Sequence, residues 1–235
     1  RNTGFLHAKG FYIAFLDDDD TWYPEKIQKQ MQKFIESSGK VGMVYSGYEI
    51  VSTSSSEFSK KELPQKKGKL LDHLISGNFI GSPTPLIKKE IFNDAEPYDE
   101  ELESAQDWEL WIRLSTNNEI EYVDEILATY VVHGDQISAD FKRKAVSFEY
   151  IIKKYNYLYD EHKKALSTMY KRTAVLLFLS GKFRACRSKL LRAFITDIFR
   201  IDIPFHFILS FFPGLYRRYI DKHFMMRYGQ HKLIY

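Results

Sequence analysis

Apolar residues follow two different periods along this chain, and the switches between them divide it into elements. Phe11 to Leu16 is an unbroken apolar run, rich in aromatic and β-branched side chains and opened by Gly10. It reads as a buried strand ending at Leu16. From Glu25 to Ser38 the spacing turns helical. Ile27, Met31, Phe34 and Ile35 recur on one face, Lys26, Lys29 and Lys33 fall on others, and Gly39 marks the stop. An amphipathic helix packed on a sheet is predicted. Val41 to Val51 then reads as the next strand, and a strand-helix-strand unit predicts a parallel sheet.

Farther along, Ser52 to Lys69 is polar and lysine-rich and predicts an exposed loop. Leu70 to Ile75 predicts a short helix, Gly77 to Pro85 a turn-rich stretch, and Ile87 to Phe92 a helical turn. Gln106 to Ser115 sets Trp108, Trp111, Ile112 and Ser115 along one helical face. Ile120 to Val123 and Ile126 to Val132 read as two short strands. Beyond Phe141 the texture becomes basic and helical, with helical spacing in Tyr170 to Leu179 and Arg184 to Phe199. The expected division is therefore 1–140 and 141–235.

Composition supports one sizeable core or a domain with an appendage: the chain has 235 residues, of which 44% are hydrophobic. A disordered chain is excluded. The single cysteine, Cys186, excludes an internal disulfide framework and a cysteine-based zinc site, and reads as a small buried apolar residue. Net charge is +3, but its distribution is uneven. Residues 1–140 hold 14 Lys and Arg against 25 Asp and Glu, a balance of −11, whereas 141–235 hold 20 against 6, a balance of +14. The second part is thereby suited to an anionic surface. Its apolar stretch Phe205 to Phe212, bracketed by Pro204 and Pro213, is too short to span a bilayer, which takes about 20 apolar residues. With Arg200, Arg217, Arg218, Lys222 and Arg227 around it, the stretch has the pattern of an interfacial membrane segment. The alternative is a helical pair closing on the core.

The candidate chemistry lies at the end of the first predicted strand, where Asp17, Asp18, Asp19 and Asp20 follow Leu16 directly. Adjacent carboxylates repel, so this run predicts a positive partner. In open α/β sheets the crevice beyond the strands' carboxyl ends is where ligands bind. Hard cations such as Mg²⁺ or Mn²⁺ take carboxylate oxygens together with substrate phosphates, which makes a metal-diphosphate site the sharper expectation. A solvated turn, or Asp20 or Thr21 capping the helix near Pro24, is the plainer one.

Taken in series, the segments resemble a known family. Arg1-Asn2-x-Gly4, Ala8-x-Gly10, the strand Tyr12 to Leu16, Asp17 to Asp20 with Trp22, Pro24 and Lys26, then Gln106-Asp107-Trp108-Glu109-Leu110-Trp111, and finally Tyr130-x-x-His133-x-x-Gln136-x-Ser138 resemble the family 2 glycosyltransferases. The resemblance covers Arg1 to Ser138. It implies a GT-A, Rossmann-like α/β fold with a mixed sheet, followed here by an α-helical C-terminal region. It also implies sugar transfer from a nucleotide-diphosphate donor to an acceptor hydroxyl, with inversion and with Mg²⁺ or Mn²⁺. By that likeness Asp17 and Asp19 bind donor, Asp19 holds the metal, and Asp107 is the general base. His133 contacts metal or diphosphate, and Arg1 lies near the nucleotide. Asp20, Trp22 and Trp108 support them, Asp20 behind the metal or as a cap. Implied partners are a nucleotide sugar, a glycan, lipid-linked or protein acceptor and an anionic membrane surface, with no nucleic acid; the implied place is the cytoplasm, at the membrane's inner face.

One departure stands at the front. Family members begin with a strand, a helix and a strand bearing an Asp-Asp pair, and none of these precedes Arg1 in this sequence. The expectation is an N-terminally truncated fragment whose sheet lacks its first strands and which is poorly stable and inactive alone. Competing readings are another Mg-dependent phosphate-handling enzyme and a non-catalytic membrane-associated protein.

Overall fold

A computed structural model of the chain describes residues 1–37, 39–52, 59–93, 96–132 and 140–225. The chain forms two compact units, Arg1–Glu101 with Gln106–His133, and Leu102–Ala105 with Gly134–Tyr235.

The first unit is built on a mixed sheet. Its strands are β1 (Tyr12–Ile13), β2 (Thr21–Trp22), β3 (Val41–Ser52), β4 (Ser59–Glu62), β5 (Leu86–Lys88) and β6 (Glu119–Val132). They lie in the order β1-β5-β3-β6-β2, with β4 paired to β3. Among the described residues only β3 and β6 pair in parallel; β5 runs antiparallel to both β1 and β3. The parallel sheet predicted from the strand-helix-strand unit is thus corrected: β1 and β3 share a direction, but β5 lies between them. Ile87, read as part of a helical turn, belongs to that strand, and only Lys89–Phe92 makes a helical turn. The reason is packing. Leu86 and Ile87 are buried between β1 and β3, each contributing about 1.5–3 kcal/mol of burial.

Two further readings change with the pairing. The strand expected from Phe11 to Leu16 pairs only at Tyr12 and Ile13, and Phe11 and Leu16 are exposed. The two strands expected around residue 124 are a single strand. Its ladder jumps from Ser46↔Val123 to Gly47↔Ile126, so exposed Asp124 and Glu125 bulge out of register. Gly47 is needed there, because a Cβ would come 2.8 Å from the Glu62 carbonyl oxygen and 3.0 Å from that of Glu125.

Helix α1 spans Asn2–His7, α2 Lys26–Glu36, α3 Leu71–Leu74 and α4 Gln106–Ser115. The inward face of α2 matches the predicted one only in part, at Phe34 and at Met31, which packs against the same core. Lys26, Gln30 and Phe34 are buried, while Ile27 and Ile35 are exposed. The charge-free reading of an inward face fails because Lys26 finds internal partners. Its ammonium donates to Gln30 Oε1 at 2.8 Å and lies 4.3 Å from the centre of the Trp22 ring. Gln30 in turn donates to the carbonyls of Val44 and Thr84 at 2.7 and 2.8 Å. Phe34 packs with Val41, Val44, Leu86, Val123 and Leu127 against the sheet.

The second unit is helical: α5 (Phe141–Lys154), α6 (Asn156–Glu161), α7 (Lys163–Leu179), α8 (Phe183–Thr196), α9 (Asp202–Leu209) and α10 (Pro213–Ile220). Asp140 caps α5 by accepting from the backbone N–H groups of Lys142 and Arg143. Gly181, at φ +76°, makes the tight turn between α7 and α8. Cys186, Leu190, Ala193, Ile203, Leu209 and Tyr216 share its core. Among the described residues no helix is long and apolar enough to cross a membrane.

Candidate functional site

The four aspartates fall in a turn between β1 and β2, closed by the Asp20 N–H donating to the Asp17 carbonyl at 3.2 Å. A turn this tight folds their side chains back on one another. One carboxylate oxygen from each of Asp17, Asp19 and Asp20 lies within 4.8 Å of the others, and no histidine or cysteine joins them among the described residues. Asp18 is exposed and stands apart.

The positive partner that the sequence called for is Arg1. Its guanidinium donates to both carboxylate oxygens of Asp17 and also lies over the Tyr98 ring, 5.1 Å from its centre. Burial lowers the Arg1 pKa, but Tyr98, Asp17 and Asp107 more than offset this and leave it raised. Asn2 fixes the arrangement from below. Its Oδ1 accepts from the Tyr98 N–H at 2.9 Å, and its Nδ2 donates to the Tyr98 carbonyl at 2.8 Å and reaches the carboxylates of Glu96 and Glu100.

Asp20 is buried, and its Oδ1 accepts from the Val131 N–H on β6 at 3.0 Å. Helix capping is therefore ruled out for it: α2 opens at Lys26 without a side-chain cap. Its Oδ2 is buried and lacks a hydrogen-bond partner among the described residues. Burial pushes the Asp20 carboxyl up to about 6, with Asp19 and Asp17 adding to the rise and the Val131 N–H and Arg1 opposing it. A buried, partnerless oxygen beside two other carboxylates is a donor set suited to a hard divalent cation. The residues fit the Mg²⁺ or Mn²⁺ that the resemblance implies.

Asp107 stands at the start of α4, in a cleft of about 180 Å³ lined by Tyr48, Asn78, Phe79, Gly81, Ser82 and Tyr130, among others. Asn78 donates to Asp107 Oδ2 at 3.2 Å while its own Oδ1 accepts from the Ile80 N–H at 3.0 Å. Tyr48 and Tyr130, from neighbouring strands, meet edge to face with ring centres 6.4 Å apart. Burial raises the Tyr48 phenol, with Glu62, Tyr130 and Asp107 contributing. The aspartate turn does not line this cleft, yet Asp17 and Asp107 both act on Arg1 and Tyr98.

Trp22 and Trp108, far apart in sequence, hold the same wall. Trp108 Nε1 donates to the Leu74 carbonyl at 2.7 Å, and Trp22 Nε1 to the Pro83 carbonyl at 2.8 Å. With Gln30 on Thr84, they clamp both ends of the segment that carries Asn78 to Ser82. Sequence reading passed over Asn78, Tyr48, Tyr98 and Gln30. Asn78 lay in the turn-rich stretch, Tyr48 and Gln30 inside a strand and a helix read from their apolar positions, and Tyr98 in no predicted element, and none of these signals names chemistry. His133, Gln136 and Ser138 lie outside the described residues.

Comparison with known proteins places this site in context. The family described as "Glycosyltransferase like family 2" matches residues 1–142. An uncharacterized glycosyltransferase of Rickettsia prowazekii is 30% identical over 144 residues, 57% of this chain and 44% of its own length. The Escherichia coli UDP-Glc:alpha-D-GlcNAc-diphosphoundecaprenol beta-1,3-glucosyltransferase WfgD is 28% identical over 124 residues, 53% of this chain and 46% of that protein. The putative teichuronic acid biosynthesis glycosyltransferase TuaG of Bacillus subtilis is 26% identical, covering 60% of this chain and 54% of its own. The chain thus spans about half the length of these relatives. In three dimensions, residues 1–349 of Staphylococcus aureus TarS align with a TM-score of 0.52 at 14% identity, over 99% of this chain and 71% of that one. That likeness shows the fold: the GT-A mixed sheet followed by helices.

Proposed function

The chain belongs to the family 2 glycosyltransferases, and from that premise we propose that it moves a sugar from a nucleotide-diphosphate donor to an acceptor hydroxyl, with inversion at the anomeric carbon. One observation carries the reading: three carboxylates converge beside Arg1, while a fourth, Asp107, is held in a separate cleft by Asn78. Two sets of carboxylates suit two substrates of opposite demand.

In this reading Asp17, oriented by Arg1, takes the ribose or sugar side of the donor. Asp19, with the Asp20 oxygen that has no hydrogen-bond partner among the described residues behind it, would hold Mg²⁺ or Mn²⁺; when bound, the cation supplies positive charge where the leaving diphosphate gains negative charge. Asp107 receives the acceptor hydroxyl's proton as that oxygen bonds to the anomeric carbon and the bond to the diphosphate oxygen breaks. Asn78 holds the Asp107 carboxylate toward the cleft, and the clamped Asn78 to Ser82 wall shapes the space for the acceptor. A hexosyl donor is proposed. WfgD is named for a diphosphoundecaprenol acceptor and TuaG for teichuronic acid biosynthesis. By that analogy we assign this chain to polysaccharide synthesis on a lipid-linked acceptor at the inner face of a membrane.

Two variants in the full-length protein test the assignment. Asp19→Ala is expected to abolish metal-dependent donor binding. Asp107→Asn should keep donor binding while transfer falls about 10²–10⁴-fold, the usual contribution of a general base. Near-wild-type turnover in Asp107→Asn would remove Asp107 as base, and unchanged donor affinity in Asp19→Ala would remove the aspartate turn as donor site.

A further inference from the structure

We propose that the apolar corner formed by the end of α8, α9 and the start of α10 docks onto an anionic lipid bilayer. The purpose rests on the lipid-linked acceptor proposed above, but the surface stands on its own observations. Ile201, Phe205, Ile208 and Phe212 recur at steps of four, three and four residues and are all exposed, with Ile198 and Phe199 beside them. Phe199 and Ile201 are 88% and 90% exposed. An apolar surface of this extent on one unit marks an interaction site and not a scatter of surface residues. The opposite face of α9 is used already: Ile203 and Leu209 enter the core, and buried His206 shares a 2.9 Å hydrogen bond with Tyr216.

Charge identifies the occupant. From Lys182 to Lys222 nine Lys and Arg stand against three Asp. Lys182, Arg184, Arg192, Arg218 and Lys222 have no acidic partner among the described residues; the ion pairs of this region are made by Lys171, Lys189, Arg200 and Arg217. Along α8 the exposed positions run from Arg184 to Ile195, basic end first. Along α10 they run from Leu215 to Arg218, apolar end first. Both helices therefore turn apolar ends toward α9; Arg184 and Arg218 stand toward the far ends, while Arg192 lies beside Leu191 and Ile195 at the near end of α8. Where the two sets meet, the Arg187 guanidinium lies 4.5 Å from the centre of the Phe211 ring. An apolar patch rimmed by cations matches a bilayer, whose acyl interior lies beneath anionic headgroups. A second copy of the same surface would set cation against cation. At eight residues, about 12 Å long, α9 is sized to lie in the interface plane, not to span.

The test is co-sedimentation of the 235-residue chain with vesicles of phosphatidylcholine alone and of phosphatidylcholine mixed with phosphatidylglycerol. Binding to the anionic vesicles is expected, weakening with added salt. Phe205→Ser with Phe212→Ser should weaken it at least ~10-fold. Each of Arg184→Gln, Arg192→Gln and Arg218→Gln should weaken it about fivefold on anionic vesicles alone. All these side chains are exposed, and circular dichroism checks that the helices persist. Asp19→Ala should bind vesicles like wild type, so loss of the donor site and loss of docking are told apart. The proposal is overturned if wild type binds neither vesicle, if the phenylalanine variants bind undiminished, or if sedimentation in the absence of lipid shows a dimer that those variants dissolve.

Discussion

Replacing Asp20 with Asn should make the protein more stable at neutral pH and worse at its proposed task. The wild-type carboxyl is raised from 3.8 to about 6, first by burial and then by Asp19 and Asp17. A folded-state value above the unfolded one means that the fold binds this proton more tightly than the open chain. The group therefore imposes no deficit below pH 3.8, an increasing one as pH rises through 6, and its full deficit above that. Two units correspond to about 3 kcal/mol at 1.36 kcal/mol per unit, and relaxation of the turn reduces this to about 1–3 kcal/mol. Asparagine keeps the Oδ1 acceptor for Val131 and puts an N–H donor where Oδ2 has no hydrogen-bond partner among the described residues. The like-charge repulsion becomes attraction. Urea denaturation at about pH 7.5 and about pH 4 should show the variant ahead at the first and level at the second. Calorimetric titration with Mn²⁺ should show weaker binding in the variant. A variant less stable than wild type at neutral pH, or a gap independent of pH, would refute the reasoning.

Other outcomes follow from the same geometry. Burial lowers Lys26 from 10.5 to about 7, so the unfolded chain binds more protons between those values and wild-type stability should rise across that range. Lys26→Met should abolish that rise in denaturation curves recorded against pH. Asn2→Ala removes the buried bonds to both the N–H and the carbonyl of Tyr98, and calorimetry should show a loss of about 2–4 kcal/mol. Asn78→Ala leaves Asp107 unheld, so kcat should fall about tenfold with donor affinity unchanged, a split read by steady-state kinetics and donor titration.

How far the sequence could be read depended on how local each feature is. The bounds of α4, with Asp107 inside its first turn, and most of β3 were legible because each follows a period set by its own residues. The Asp17 to Asp20 run was visible for the same reason, and its repulsion foretold a positive neighbour. Lys26 was misread because a lysine at a helical position ordinarily faces water, and nothing nearby in sequence announces the Trp22 ring and Gln30 as its partners. The break at Asp124 and Glu125 looked like a gap between strands because a bulge and a turn carry the same charged signature.

By itself, the sequence marked the candidate residues: the aspartate run, Asp107, Arg1, and a basic helical second part whose apolar stretch is too short to span a bilayer. Tertiary structure alone decided their company. It placed β5 between β1 and β3, sent Asp20 to Val131, set Asn78 against Asp107, and brought Trp22 and Trp108 to opposite ends of one segment. The physical reason is that periodicity records which face of an element leaves water. The partner that meets that face, and the carbonyl or carboxylate that satisfies each buried donor, is fixed only when distant strands take their order in the sheet.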